Sequence, residues 1–171
     1  KSLKFQDVKG LEKLNCANCI ALRELPINAL KASLEVLNCS RCISLKTLDL
    51  QDMGALLNVD CHACTNLNYI PLRYLTALET LDCSFCTKLP LLGLINLESL
   101  KSLDCSKCSN LKRIVSSKSE ALQKLNCSNC SLTEVPDPLE FPKLQDLVLN
   151  GNSELSELPL SFINLFNLTK L

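Results

Sequence analysis

One spacing limits what this chain can become. Leu11, Leu34, Leu56, Leu78, Leu100, Leu122, Leu144 and Leu168 follow one another at intervals of 23, 22, 22, 22, 22, 22 and 24 residues. Around each leucine the same string returns, complete at residues 11–26 as LEKLNCANCIALRELP and condensed as L-x-x-L-[ND]-C-x-x-C-x-x-L-x-x-[LIV], often followed by Pro. A unit this short cannot bury its own apolar side chains, so successive copies must stack. The period predicts an open solenoid. Residues 1–10 read as the back half of an earlier repeat and Leu171 as part of the strand of a later one. We therefore expect a single domain over 1–171, excised from a longer array. It has a partial repeat at 1–10, repeats starting at 11, 34, 56, 78, 100, 122 and 144, and a truncated repeat from 168.

Within each coil, positions one to six read L-x-x-L-x-C, and the last four alternate with the period of two of a short strand. Stacked coils then place these strands side by side as one parallel sheet. Apolar residues at positions twelve and fifteen continue the interior: Leu22/Leu25, Leu45/Leu48, Leu67/Ile70, Leu89/Leu92, Leu111/Ile114 and Leu155/Leu158. Coil six reaches its apolar residue one place early, at Leu132, which predicts an irregular turn before VPDPLEFPKL. About seven residues remain for the return, and Pro26, Pro71, Pro136 and Pro159 mark its start, so short 3₁₀ or irregular segments are expected there. Leu30, Met53, Leu75, Leu97, Phe141 and Leu165 each offer the return a buried side chain. Coil five offers SSKSEA instead, which makes 116–120 the expected loose point.

These residues and spacings resemble the leucine-rich repeat family in a cysteine-containing variant, LxxLxCxxCxxLxxLP. The resemblance implies an α/β solenoid, a right-handed superhelix with the parallel sheet on its concave face and short 3₁₀ or irregular convex segments. It implies a non-catalytic protein-interaction domain that binds its partner on the concave face. The variant is similar to arrays in plant intracellular immune receptors and in bacterial effectors, where the array recognises a substrate or ligand and the activity lies in another domain. In the family pattern L-x-x-L-x-L-x-x-[NC], the ninth position caps the turn by bonding to backbone, and a thiol does this more weakly than an amide.

All twelve cysteines lie in six C-x-x-C pairs, from Cys16/Cys19 to Cys127/Cys130. Thiolates at that spacing grip zinc, and a zinc-binding repeat protein is the alternative function this motif raises. Coil seven argues for a structural role, because LQDLVLNGN aligns without gaps and puts Leu149 and Asn152 in the two cysteine slots. We read no cofactor. Adjacent strands lie close enough for disulfides, but side chains stacked in parallel do not point at one another. Reduced thiols fit a cytoplasmic setting, or the host cytoplasm for a secreted effector.

Lys plus Arg and Asp plus Glu both number 18, so no net field favours nucleic acid or an acidic membrane surface. No apolar run approaches a membrane-spanning length, and KSLKFQDVKG lacks the centre of a signal peptide. Positions three, five, seven and eight are expected to face outward on the concave side. Column five runs Asn15, Asn38, Asp60, Asp82, Asp104, Asn126, Val148, which places three carboxylates on adjacent strands with no evident demand from the fold. They read either as a surface for a basic protein partner or as a solvated Asn/Asp column. Asn58, Thr80 and Ser102 in column three leave them accessible. Column eight adds Arg41, Phe85 and Lys107, where Phe85 is either an interface anchor or a side chain folded over the sheet edge. No catalytic set is legible: His62, the only histidine, has no paired nucleophile in the pattern and reads as a solvated strand-end residue. Uncapped terminal coils would allow end-to-end self-association. A thiol titration in denaturant is expected to count all twelve cysteines, and a total well below twelve would mean disulfides.

Overall fold

The computed structural model describes residues 5, 8, 10–164 and 166–170. Among these residues nine strands follow one another: β1 Lys13–Asn15, β2 Val36–Asn38, β3 Asn58–Asp60, β4 Thr80–Asp82, β5 Leu91–Leu94, β6 Ser102–Asp104, β7 Arg113–Ser116, β8 Lys124–Asn126 and β9 Asp146–Val148. Seven of them, in the order β1-β2-β3-β4-β6-β8-β9, form one parallel sheet with one strand per coil. Each strand is three residues long and flat in register, so equivalent positions of successive coils stand side by side, as in Leu14↔Leu37 and Leu81↔Leu103. An isolated bridge from Asp146 to Lys170 carries the ladder one step further.

Two more bonds per coil extend this ladder beyond the strand. The N–H of position six donates to the position-five carbonyl of the next coil, as in Cys39 to Asp60 at 2.8 Å and Cys83 to Asp104 at 2.8 Å. The N–H of position eight then donates to position seven of the next coil, as in Ala63 to Ser84 and Phe85 to Ser106, both at 2.8 Å. Reaching it forces position eight into the left-handed region. Asn18, Arg41, Ala63, Phe85, Lys107 and Asn129 all have φ between 54° and 61°, and coil seven puts Gly151 there at φ 78°. Only glycine adopts that region without a steric penalty, so six coils hold a strained residue for the sake of one intercoil bond.

The interior is a set of ladders running along the stack. From coil two to coil five the apolar residues of positions one and four, both cysteines, and rungs twelve and fifteen are buried, and each side chain packs on its equivalents above and below. Each such leucine is worth about 1.5–3 kcal/mol of apolar burial. A further rung, Ile27, Leu50, Leu72 and Leu94, is fully enclosed and lies outside the repeat template read from the sequence. Leu132 is buried one position early, and no regular helix or strand forms before Pro138–Glu140, so the irregular turn expected in coil six is present.

Three expectations need correction. The returns are 3₁₀ at Asn28–Leu30, Pro138–Glu140 and Leu160–Asn164, but coils four and five return through β5 and β7, which pair as a second, two-stranded parallel sheet. Coils one and three carry Pro26 and Pro71 at the position where β5 has Gly93 and β7 has Val115, and proline cannot donate to a ladder. The serines of 116–120 are not left loose for want of apolar area. Ser119 is buried, its N–H donates to Glu140 O at 2.7 Å, and Ser116 Oγ bonds to Glu140, so hydrogen bonds replace hydrophobic contact. Leu158 is exposed and Leu155 only half-buried, whereas the equivalent rungs of coils two to five are enclosed. Leu165 lies outside the described residues.

All twelve cysteines are free, and eleven are buried. The second cysteine of each coil donates its S–H to the carbonyl of the first cysteine of the coil before: Cys42 to Cys16 at 3.2 Å, Cys64 to Cys39 at 3.1 Å, Cys86 to Cys61 at 3.3 Å, Cys108 to Cys83 and Cys130 to Cys105 at 3.2 Å. Asn152 makes the same bond to Cys127 O at 2.9 Å and adds a second to Leu149 O at 2.7 Å. The capping role expected of position nine is thus performed between coils. Burial pushes the Cys16 thiol up to about 12. Contact with a neighbouring thiol, together with burial, holds Cys39, Cys61, Cys83 and Cys105 well above the ordinary thiol range. Such groups keep their protons in the folded chain after the unfolded chain has lost them, so their contribution to stability is complete below the unfolded value and is lost as pH rises. The urea midpoint is therefore expected to fall as pH rises from about 9 toward 12, and to fall less in Cys16→Ala.

Candidate recognition face of the main sheet

Position five lies at the end of each strand of the main sheet, where the chain turns away, and in coils one to six its side chain has a local task. One oxygen accepts the N–H two residues on: Asn38 Oδ1 from Ser40 at 2.9 Å, Asp60 Oδ1 from His62 at 2.9 Å, Asp82 Oδ1 from Ser84 at 2.9 Å, and Asp104 Oδ1 from Ser106 at 2.8 Å. This is an Asx turn, and it stiffens the exit from the strand. The expectation that the fold makes no demand on these residues is therefore revised: the turn of coils one to six uses an acceptor there, and coil seven, with Val148, does without one. The turn does not demand a charge, since Asn15, Asn38 and Asn126 do the same work.

What remains of the three aspartates faces outward. The register Asp60↔Asp82↔Asp104 sets them on adjacent strands, about 4.8 Å apart along the stack. Oδ2 of Asp104 accepts Asn126 Nδ2 at 3.0 Å, whereas among the described residues no side chain is bonded to Oδ2 of Asp60 or Asp82. They line a shallow groove of about 390 Å³ with Asn58, Thr80 and Ser102, and Thr80 Oγ1 donates to Asn58 Oδ1 at 2.6 Å. Column three is thus polar and uncharged beside the carboxylate row.

Phe85 stands at the far end of the same strand exit, 37% exposed. Lys107 Nζ sits 4.4 Å from its ring centroid, and the His62 ring meets it edge-on at 5.2 Å and 78°. Columns seven and eight together therefore present a cation, an aromatic and an imidazole in contact. Arg41 is exposed in the equivalent place two coils away, its N–H bonded to His62 O at 2.7 Å. Column seven closes more than expected: Ser84, Ser106 and Ser128 are buried.

His62 is half-buried and does have a hydroxyl partner, contrary to its reading as a solvated strand-end residue: its Nδ1 lies 2.8 Å from Ser84 Oγ. Ser84 Oγ in turn donates to Asp82 Oδ1 at 2.6 Å, so the single hydroxyl proton is committed to the carboxylate and Nδ1–H donates to the hydroxyl. A base that activated this serine would have to accept that proton, and here the polarity runs the other way. The chain ties two coils together. Its signal in the sequence was the recurring [ND]-C-S, present at 38–40, 82–84, 104–106 and 126–128.

The described geometry is a solenoid of short parallel strands with an open polar sheet face. Residues 120–171 match the family model of leucine rich repeats in two copies, and the coils before them repeat the same strand, turn and core positions. The chain is thus a parallel-strand solenoid whose residues 120–171 carry two leucine-rich repeats. No curated protein and no solved structure matches it. No helix among the described residues is long and apolar enough to cross a membrane.

Because the fold uses an oxygen at position five and not its charge, two substitutions at Asp82 should separate. Asp82→Asn is expected to leave the thermal midpoint unchanged within about 0.5 kcal/mol, and Asp82→Ala to lose about 1–2 kcal/mol by orphaning the Ser84 N–H and hydroxyl. Equal losses from both would show that the charge itself holds the turn.

Proposed function

We propose that this solenoid is a non-catalytic protein-recognition module whose open, concave sheet face binds a basic protein partner. The row Asp60, Asp82, Asp104 carries the reading. Each carboxylate is in register with the next, each spends one oxygen on its own turn, and like charges on neighbouring strands are unfavourable unless something complements them. Arg41, Phe85 and Lys107 complete the surface on one flank and Asn58, Thr80 and Ser102 on the other. Phe85 is the anchor of the set, an aromatic already ordered by His62 and Lys107, so that little entropy is lost when a partner covers it.

The fold is one that typically serves interaction, and the Ser84 hydroxyl is turned away from the role of nucleophile. Twelve free thiols support a reducing compartment, the cytoplasm or a host cytoplasm for a secreted effector. Resemblance to receptor and effector arrays supports a second reading, in which this segment selects the target for an activity carried by another domain. In both readings the same face does the recognising.

Capture of binding proteins by the native chain and by Asp60→Asn/Asp82→Asn/Asp104→Asn tests this. The triple variant keeps every Asx turn and removes only charge. A partner held through this face should be lost or weakened roughly 10-fold by the triple variant and should be released from the native chain by high salt. Retention of the same partner by both forms would place recognition elsewhere.

A further inference from the structure

A second surface lies on the return side of the coils, away from the main sheet. Along that flank the position-thirteen N–H of one coil donates to the position-thirteen carbonyl of the coil before, from Asn68 to Lys46 O at 3.0 Å and from Lys112 to Pro90 O at 3.1 Å. The step between them is missing because position thirteen of coil four is Pro90, which has no N–H to give. The second sheet stops at the same place, since β5 pairs only with β7. Between coils three and four a groove of about 500 Å³ results, walled by Tyr69, Pro71 and Arg73 on one side and by Pro90, Leu91 and Ile95 on the other.

Three features of this groove are not required by the repeat. Its rim is apolar and exposed, with Tyr69 at 60%, Leu91 at 48% and Ile95 at 42%. The same positions in coils one and two carry Glu24, Thr47, Asn28 and Gln51, so the apolar surface is local to coils three and four. Gly93 lies in the groove within strand β5, where its backbone is extended and an added Cβ would meet no atom within 4 Å. Neither φ nor crowding calls for glycine there, and its strand partner in β7 is Val115. Glycine weakens a strand, and one without a conformational reason marks a place where something approaches the backbone. The one charge in the lining is Arg73, whose guanidinium lies 4.9 Å over the Tyr74 ring, and among the described residues no carboxylate pairs with it.

We propose that this groove docks a short extended segment of a protein partner, with an aromatic or aliphatic side chain seated between Tyr69 and Leu91 over Gly93 and a carboxylate on Arg73. The wall from residue 69 to residue 73 spans at most about 13 Å, which suits a segment of about four residues. Charge complementarity selects an acidic segment here, opposite to the basic partner proposed for the carboxylate face. The two sites are independent.

The test uses fluorescein-labelled heptapeptides with a Trp or Leu centre flanked by Asp/Glu, by Lys/Arg or by Ser, titrated against the whole chain by fluorescence anisotropy. The acidic series should bind, Gly93→Val should weaken it roughly 10-fold by filling the groove, and Arg73→Glu should weaken it comparably and favour the basic series. Gly93→Val should at the same time raise the melting temperature, because valine suits a strand better than glycine, so its loss of binding cannot be a loss of fold. Asp60→Asn/Asp82→Asn/Asp104→Asn should bind the acidic peptides undiminished. No binding, equal binding of all three series, or binding indifferent to Gly93→Val would overturn the proposal. So would a concentration-dependent dimer abolished by Gly93→Val in sedimentation, which would give the groove to a second copy of this chain.

Discussion

Everything in this molecule hangs on hydrogen bonds between equivalent positions of successive coils. A three-residue strand is too short to be stable alone, and its ladder is lengthened at both ends by bonds that lie outside the strand proper. The last of these, from position eight, can be made only if that residue turns left-handed. Six coils accept the strain at Asn18, Arg41, Ala63, Phe85, Lys107 and Asn129, and only the seventh uses glycine. The strain is tolerated because the alternative is a buried backbone donor without an acceptor. It also has a consequence for the surface, since a left-handed residue projects its side chain away from the sheet edge, and there Arg41, Phe85 and Lys107 stand.

The cysteines serve the same ladder from within. A thiol at position nine is small enough to lie between coils and polar enough to cap the carbonyl of the coil before. Asn152 does it with two donors where the template changes. Six C-x-x-C pairs therefore come from two columns of one repeat, each sulfur stacked on its equivalents. The burial of eleven of them and the raised pKa of Cys16, Cys39, Cys61, Cys83 and Cys105 suit packing more than reactivity, because the thiolate is the form that binds metal and attacks electrophiles.

The proposed recognition face is built on positions the fold already uses. In coils one to six position five supplies an acceptor for the Asx turn, and either Asn or Asp will do, so charge at that column is free to vary without cost to the turn. Coils three, four and five choose Asp. The flank shows the same economy in reverse: Pro90 omits one ladder bond and Gly93 omits one side chain, and between them a groove opens in a surface that would otherwise be sealed. Binding surfaces on a repeat arise where a coil departs from its neighbours, because the shared positions are committed to stacking.

Much of this was legible in the sequence. The 22-residue period determined a solenoid, the alternation L-x-C determined where the strands lie, and the columns determined that Asp60, Asp82 and Asp104 would be neighbours, because in a stacked array sequence offset and spatial offset are the same thing. Coil seven's Leu149 and Asn152 already pointed to a structural role for the cysteines, and the family resemblance implied the capping. The rest was decided by tertiary structure. That Ser119 is buried and bonded, that His62 meets Ser84 across coils, that position eight is left-handed in six residues of unlike chemistry, and that β5 and β7 pair while coil three stays apart all depend on where the adjacent coil puts its carbonyls. A single coil's sequence states which groups it offers; only the stack settles which of them find a partner.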